Sequence, residues 1–193
     1  CFELKGTAPE NIAEMEMNMR MHKAISIIQF KLEGQTIKRQ KEFNLEDRAL
    51  LHRIDYKAGM IELNGKEYKL LDTNFPTVDP QNPYELTNGE QEIMDRLERA
   101  FIGCEKLQEH MRLLLSKGGL YKVHNGNLLY HGCVPLNKDG SLKEVKLFGH
   151  SFKGRSLYDA LERYVRKGFF AIDEEERENG RDIMWYIWLS ANS

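Results

Sequence analysis

Asn125-Gly126 stands between Lys122-Val123-His124 and Asn127-Leu128-Leu129-Tyr130. No other stretch restricts the fold of this chain as tightly. A two-residue hairpin turn needs positive φ at both central positions, and Asn-Gly is the pair that tolerates this best. The flanking residues are strand formers, so a β-hairpin is predicted, with the strand 127–130 largely buried. That strand runs into His131-Gly132. A His at a strand end, followed by a Gly that permits a tight turn, can aim an imidazole into a cleft.

The remaining sequence sets the frame for that hairpin. The chain has 193 residues, of which 41% are hydrophobic and 30% charged, a composition that fits a globular protein with many charged faces. With 28 basic and 30 acidic residues the formal net charge is -2, which gives no support for general nucleic-acid binding. No window approaches the roughly 18 apolar residues of a membrane span, and no signal-peptide pattern is visible. Cys1, Cys104 and Cys133 are scattered and odd in number, pointing to a reducing cytoplasm rather than a disulfide framework. The aromatic run Ile183-Met184-Trp185-Tyr186-Ile187-Trp188-Leu189 lies close to the last residue and needs something to pack against. The expectation is a piece of a longer chain.

Helix and strand signals alternate along the chain. Thr7-Ala8-Pro9-Glu10 is a helix start. The helix is expected to run to about Leu32, with Met17, Met21, Ala24, Ile28 and Leu32 as one apolar stripe and its methionines as core packing. Gly34 is expected to end or kink it. A short helix is predicted over 44–54 and a hairpin over 60–71, turning at Asn64-Gly65. The segment 72–88, with Pro76, Pro80 and Pro83, reads as a connector. Thr87 and Glu90 form a capping box before the longest predicted helix, to about Ser116, with Ile93, Leu97, Phe101, Cys104, Leu107, Met111 and Leu114 on one face. Gly118 and Gly119 stop it. A strand is predicted near 145–148, and a helix capped at Ser156 through about Lys167. The charged segment 173–181 is predicted to be exposed. The chain divides at 1–86, a helix and hairpin part, and 87–193, a long helix followed by the His131 hairpin and a C-terminal helix. The fold class is α+β, with long helices packed on short antiparallel hairpins.

Familiar phosphate loops, dinucleotide fingerprints, Cys-x-x-Cys pairs and nucleophile elbows are absent from the sequence. His22, His52 and His110 fall on predicted helices among charged neighbours, without an i, i+4 His partner. His124 abuts the hairpin turn. His131 is therefore the histidine whose setting invites chemistry, although a strand-end His is also a common structural residue.

The segment Gly126-Asn127-Leu128-Leu129-Tyr130-His131-Gly132-Cys133-Val134-Pro135-Leu136 resembles the class III fructose-1,6-bisphosphatases of Firmicutes-type bacteria. So do Met21-His22-Lys23-Ala24-Ile25, Phe75-Pro76-Thr77-Val78-Asp79, Pro83-Tyr84-Glu85-Leu86-Thr87, Glu105-Lys106-Leu107-Gln108-Glu109-His110 and Asp182-Ile183-Met184-Trp185-Tyr186-Ile187-Trp188. The resemblance covers nearly the whole chain. It implies part of a larger metallophosphoesterase α/β sandwich of the calcineurin-like superfamily. In the full-length enzyme the 1-phosphate of fructose 1,6-bisphosphate would be hydrolysed, in gluconeogenesis and in the cytoplasm. Two divalent metals about 3.5–4 Å apart, manganese by this resemblance, would clamp the phosphate and activate a water.

By that match His131 is a metal ligand. The superfamily's Asp-x-His, Gly-Asp-x-x-Asp-Arg and Gly-Asn-His-Asp motifs are absent, so this chain is expected to be an internal piece, inactive alone, that supplies no catalytic residue of its own. Gly149-His150 matches the superfamily's later Gly-His loop in type but precedes the Trp-rich segment rather than following it. Lys153 and Arg155, before a helix N-terminus, are candidate contacts for the sugar bisphosphate, with Arg20 and Lys23 as further cations. No nucleic-acid or membrane partner is implied, and a homo-oligomer is compatible. A second function class is a non-catalytic helical packing or oligomerisation domain.

Overall fold

Twenty-eight residues without proline form the longest helix, α1 (Ile12–Arg39), closed by Lys38 and Arg39 at the negative end of its dipole. The computed structural model describes residues 12–130 and 132–189; the predicted helix start at Thr7 lies outside them. The chain forms two units, Cys1–Arg39 with Leu45–Leu97, and Gln40–Asn44 with Glu98–Ser193.

In the first unit α1 does not end at Gly34 but continues to Arg39. A Cβ there would lie 2.0 Å from Cδ1 of Tyr84, so this glycine leaves the space in which the Tyr84 ring packs against the helix. The buried face of α1 is Ile27, Ile28, Lys31, Glu33, Gly34 and Ile37. The expected methionine stripe is wrong in its outer half: Met17 and Met21 are 58% and 61% exposed. The helix expected over 44–54 is two single 3-10 turns, Glu46–Arg48 and Leu51–Arg53, preceded by a third at Lys41–Phe43. Asn44 in the left-handed region and Ala49 in the extended one interrupt the helical path. The predicted hairpin is present as β2 (Met60–Leu63) and β3 (Lys66–Lys69), with β1 (Ile54–Asp55) completing an antiparallel sheet in the order β1-β2-β3. Asn64 and Gly65 both take positive φ, as the turn requires.

The proline-rich connector is strapped along α1. Lys23 pairs with Asp72 at 2.7 Å and also donates to the Asn74 carbonyl. Lys31 donates to the Thr77 carbonyl at 2.5 Å, and Gln35 to the Tyr84 carbonyl at 2.7 Å. The fully buried Lys31 ammonium also meets Glu90 at 2.7 Å. Glu90 belongs to α2 (Asn88–Ile102) and completes the predicted capping box: its carboxylate accepts the Thr87 N–H at 2.8 Å, and its N–H donates to Thr87 Oγ1 at 3.3 Å.

The long helix expected over 87–116 is broken. Gly103 N–H closes α2 on the Arg99 carbonyl, Cys104 is extended, and α3 (Glu105–Lys117) starts anew with Gln108 N–H on the Cys104 carbonyl. Gly118 N–H then closes α3 on the Leu114 carbonyl at 2.7 Å.

Besides α3, the described residues of the second unit include two hairpins and a pair of helices. The hairpin β4 (Tyr121–His124) and β5 (Asn127–Tyr130) forms one two-stranded sheet, and β6 (Val145–Leu147) with β7 (His150–Phe152) another. Helices α4 (Arg155–Phe170) and α5 (Glu174–Leu189) fold back on each other. Their crossing is set by two glycines. A Cβ on Gly180 would lie 2.2 Å from the Gly168 nitrogen, and one on Gly168 would lie 2.9 Å from the Gly180 carbonyl carbon. The charged segment 173–181 is thus the first half of a packed helix, and Gly180 is buried. Leu147, Leu157, Leu161, Ile183 and Tyr186 form the core, with Phe43 stacked 4.6 Å from the Tyr186 ring. Gln40 Nε2 donates to the buried Asp182 carboxylate at 2.9 Å.

Gly180→Ala should destabilise the protein by about 2–3 kcal/mol, because the methyl meets backbone that cannot yield. Urea denaturation checks this; an unchanged midpoint refutes the glycine crossing. Glu90→Leu should cost about 3–5 kcal/mol by leaving the Lys31 charge buried alone, and Lys31→Met with Glu90→Leu should recover most of that loss. Burial opposes ionisation of Glu90, but the Lys31 ammonium and the Thr87 and Thr77 hydrogen bonds prevail and hold its carboxyl below the ordinary value of 4.5. The sign follows: its stabilisation is complete above pH 4.5 and disappears as pH falls through the lower folded value. Wild-type stability should fall over that acid window more steeply than that of the double variant.

Candidate functional site

The predicted hairpin turn is present, with Asn125 at φ 49° and Gly126 at φ 76°, and the register pairs Tyr121 with Tyr130 and His124 with Asn127. The expected burial of β5 is not. All four of its residues are exposed, Leu128 at 55% and Leu129 at 56%. Regular pairing supplies the backbone hydrogen bonds of a strand but no layer to cover its side chains. The sequence-predicted ligand His131 lies outside the described residues. Its successor Gly132 takes φ 81°, the left-handed turn expected after the strand.

Helix α4 anchors the ground on either side of that histidine. The buried Tyr158 donates its hydroxyl to the Cys133 carbonyl at 2.9 Å. Its ring receives Tyr121 and Tyr130 edge-on, at centroid distances of 5.9 and 6.4 Å. Burial raises the Tyr158 phenol pKa, keeping the hydroxyl a donor. Outside this aromatic group, Arg155 Nε donates to Tyr121 Oη at 3.0 Å, and Tyr121 donates to Asp159 Oδ1 at 2.8 Å. Asp159 also faces Arg155 one helical turn away, at 3.6 Å. The Tyr121 hydrogen bond raises the Arg155 pKa further, with Asp159 contributing.

The structure therefore brings Arg155 onto the hairpin, though Asp159 partly neutralises it. Lys153 is exposed at the head of α4. The N-cap is Gly154 at φ 52°, not Ser156. Ser156 instead bridges back to Lys153, donating to its carbonyl at 2.9 Å and accepting its N–H at 3.2 Å. A cluster of backbone donors and two cations at a helix N-terminus suits an anion electrostatically. Arg20 and Lys23 belong to the first unit, where Lys23 is engaged by Asp72.

Among the described residues no three His, Cys, Asp or Glu side chains come together to hold a metal ion. His150 is an exposed residue of β7 beside Phe152. The described residues therefore do not fit a metal by themselves, and no chemical step is assigned to one. Sequence reading missed Tyr121, Tyr158 and Asp159. Two tyrosines 37 positions apart carry no local pattern, and only the packing of α4 under the hairpin joins them. Tyr158→Phe should cost about 1 kcal/mol by deleting the hydrogen bond to Cys133 while keeping the ring contacts. Limited proteolysis should then cut faster around 131–134; an unchanged digestion rate argues against the anchor.

The chain matches the family described as Firmicute fructose-1,6-bisphosphatase over residues 2–193. It is 53% identical over 190 residues to a protein of Clostridium botulinum (strain Langeland) named fructose-1,6-bisphosphatase class 3, covering 97% of this chain and 28% of that protein. A protein of the same name from Listeria monocytogenes (strain EGD-e) is 51% identical, covering 100% of this chain and 30% of the relative. The chain thus spans under a third of the length of these curated relatives. No solved structure matches it. A match that runs through both units, from α1 to the aromatic run of α5, places the chain in the Firmicute fructose-1,6-bisphosphatase family.

Proposed function

We propose that this chain is one part of a fructose-1,6-bisphosphatase, which hydrolyses the 1-phosphate of fructose 1,6-bisphosphate to fructose 6-phosphate and phosphate. The observation that carries this reading is identity above 50% to proteins of that name along nearly the whole chain. The pathway is gluconeogenesis, the setting cytoplasmic, and the chemistry that of a two-metal metallophosphoesterase using manganese. No helix among the described residues is long and apolar enough to cross a membrane.

This segment's contribution is to hold and position. His131 supplies one ligand to a metal centre whose other donors lie elsewhere in the enzyme. Lys153 and Arg155, at the head of α4, offer charge-assisted hydrogen bonds to a substrate phosphate. With those other donors outside it, the chain by itself is expected to be inactive.

Phosphate release from fructose 1,6-bisphosphate with manganese tests this. The full-length enzyme should turn over and the 193-residue chain should not. In the full-length enzyme His131→Ala should reduce kcat/KM by more than about 100-fold, since loss of a ligand should exceed the loss of an outer partner. Arg155→Ala should cost about ten-fold, mainly in KM, as expected for one charged hydrogen bond to phosphate. Undiminished activity in His131→Ala would remove the ligand assignment.

A further inference from the structure

Helices α2 and α3 alternate apolar and polar residues at helical spacing, yet only Glu90 and Leu115 are buried in them. In the second unit Phe101, Leu113 and Leu114 are each more than 60% exposed. Leu114 borders a cleft of about 260 Å³ whose apolar lining also includes Met111, Leu115, Leu120, Val165 and Met184. Met184 is 40% exposed.

The polar groups at its edge are already engaged. Arg166 donates to the Leu115 carbonyl at 2.9 Å, to the Gly118 carbonyl at 3.0 Å and to Glu162 at 3.0 Å. Glu162 accepts the Leu120 N–H at 2.6 Å. This network holds the open end of α3 and presents no unpaired charge to an anion. What the cleft offers is apolar surface, and apolar surface gathered in a groove is stabilised by being covered.

The matched relatives carry further polypeptide that could cover it, since this chain spans only 28% and 30% of their length. We propose that the cleft between α3, α4 and α5 seats an apolar segment of the polypeptide that these longer family members carry beyond the matched residues. The proposal rests on reading the chain as one part of a longer phosphatase. The packing and oligomerisation role considered from the sequence then becomes an intramolecular one.

Hydroxyl-radical footprinting compares the 193-residue chain with a polypeptide of the relatives' full length that contains it. In the longer polypeptide, oxidation of Leu114 and Met184 should be slower by roughly ten-fold, as for side chains moved from a surface into an interface core. Leu114→Asp in the longer polypeptide should restore oxidation of Met184. Equal oxidation of the two proteins overturns the proposal. So does protection that appears in the 193-residue chain and grows with its concentration, which identifies a second copy as the occupant. Protection in a longer polypeptide that fails to hydrolyse the bisphosphate supports the interface while removing the functional reading.

Discussion

The buried ion pair between Lys31 and Glu90 is the constraint around which the first unit is arranged. Taking an ammonium and a carboxylate out of water costs several kcal/mol per ion, which only close and complete partnering offsets. Lys31 finds the Glu90 carboxylate and the Thr77 carbonyl; Glu90 finds Lys31 and the Thr87 N–H, at the positive end of α2. Three segments far apart in sequence meet at one point. Any slip of the connector along α1 would leave a charge buried without its partners, so the pair fixes register as well as proximity.

A steric constraint does the corresponding work in the second unit. Gly168 and Gly180 let the backbones of α4 and α5 approach closely, at a distance no side chain would allow. That approach buries Ile183 and Tyr186, while Tyr158 of α4 packs against Tyr121 of the hairpin. Tyr158 can then hold the Cys133 carbonyl, and Arg155 can reach Tyr121. The segment's proposed contribution to phosphate hydrolysis is thus positional: a rigid helix pair holds a loop and presents cations, while the reactive set is completed elsewhere.

Features governed by neighbours in sequence were legible. The turns at Asn64-Gly65 and Asn125-Gly126 and the capping box of Thr87 and Glu90 follow from local backbone requirements, and all three occur as read. Features that depended on what lies opposite were not. The same glycine signal meant an end at Gly118 but a seat for a tyrosine at Gly34. The α2–α3 stripe was periodic enough to read as one helix, but Gly103 and Cys104 break it. Leu128 and Leu129 looked buried because apolar strands usually are, yet among the described residues both are more than half exposed.

The sequence by itself determined the α+β class, the hairpin turns, the helix start at Thr87 and the family, because each is written in adjacent residues or in extended identity. Tertiary structure alone decided that Lys31 is a core residue, that 173–181 is half of a packed helix, and that Tyr158 and Arg155 serve the hairpin. Burial and pairing are properties of two surfaces at once, and one stretch of sequence describes only one of them.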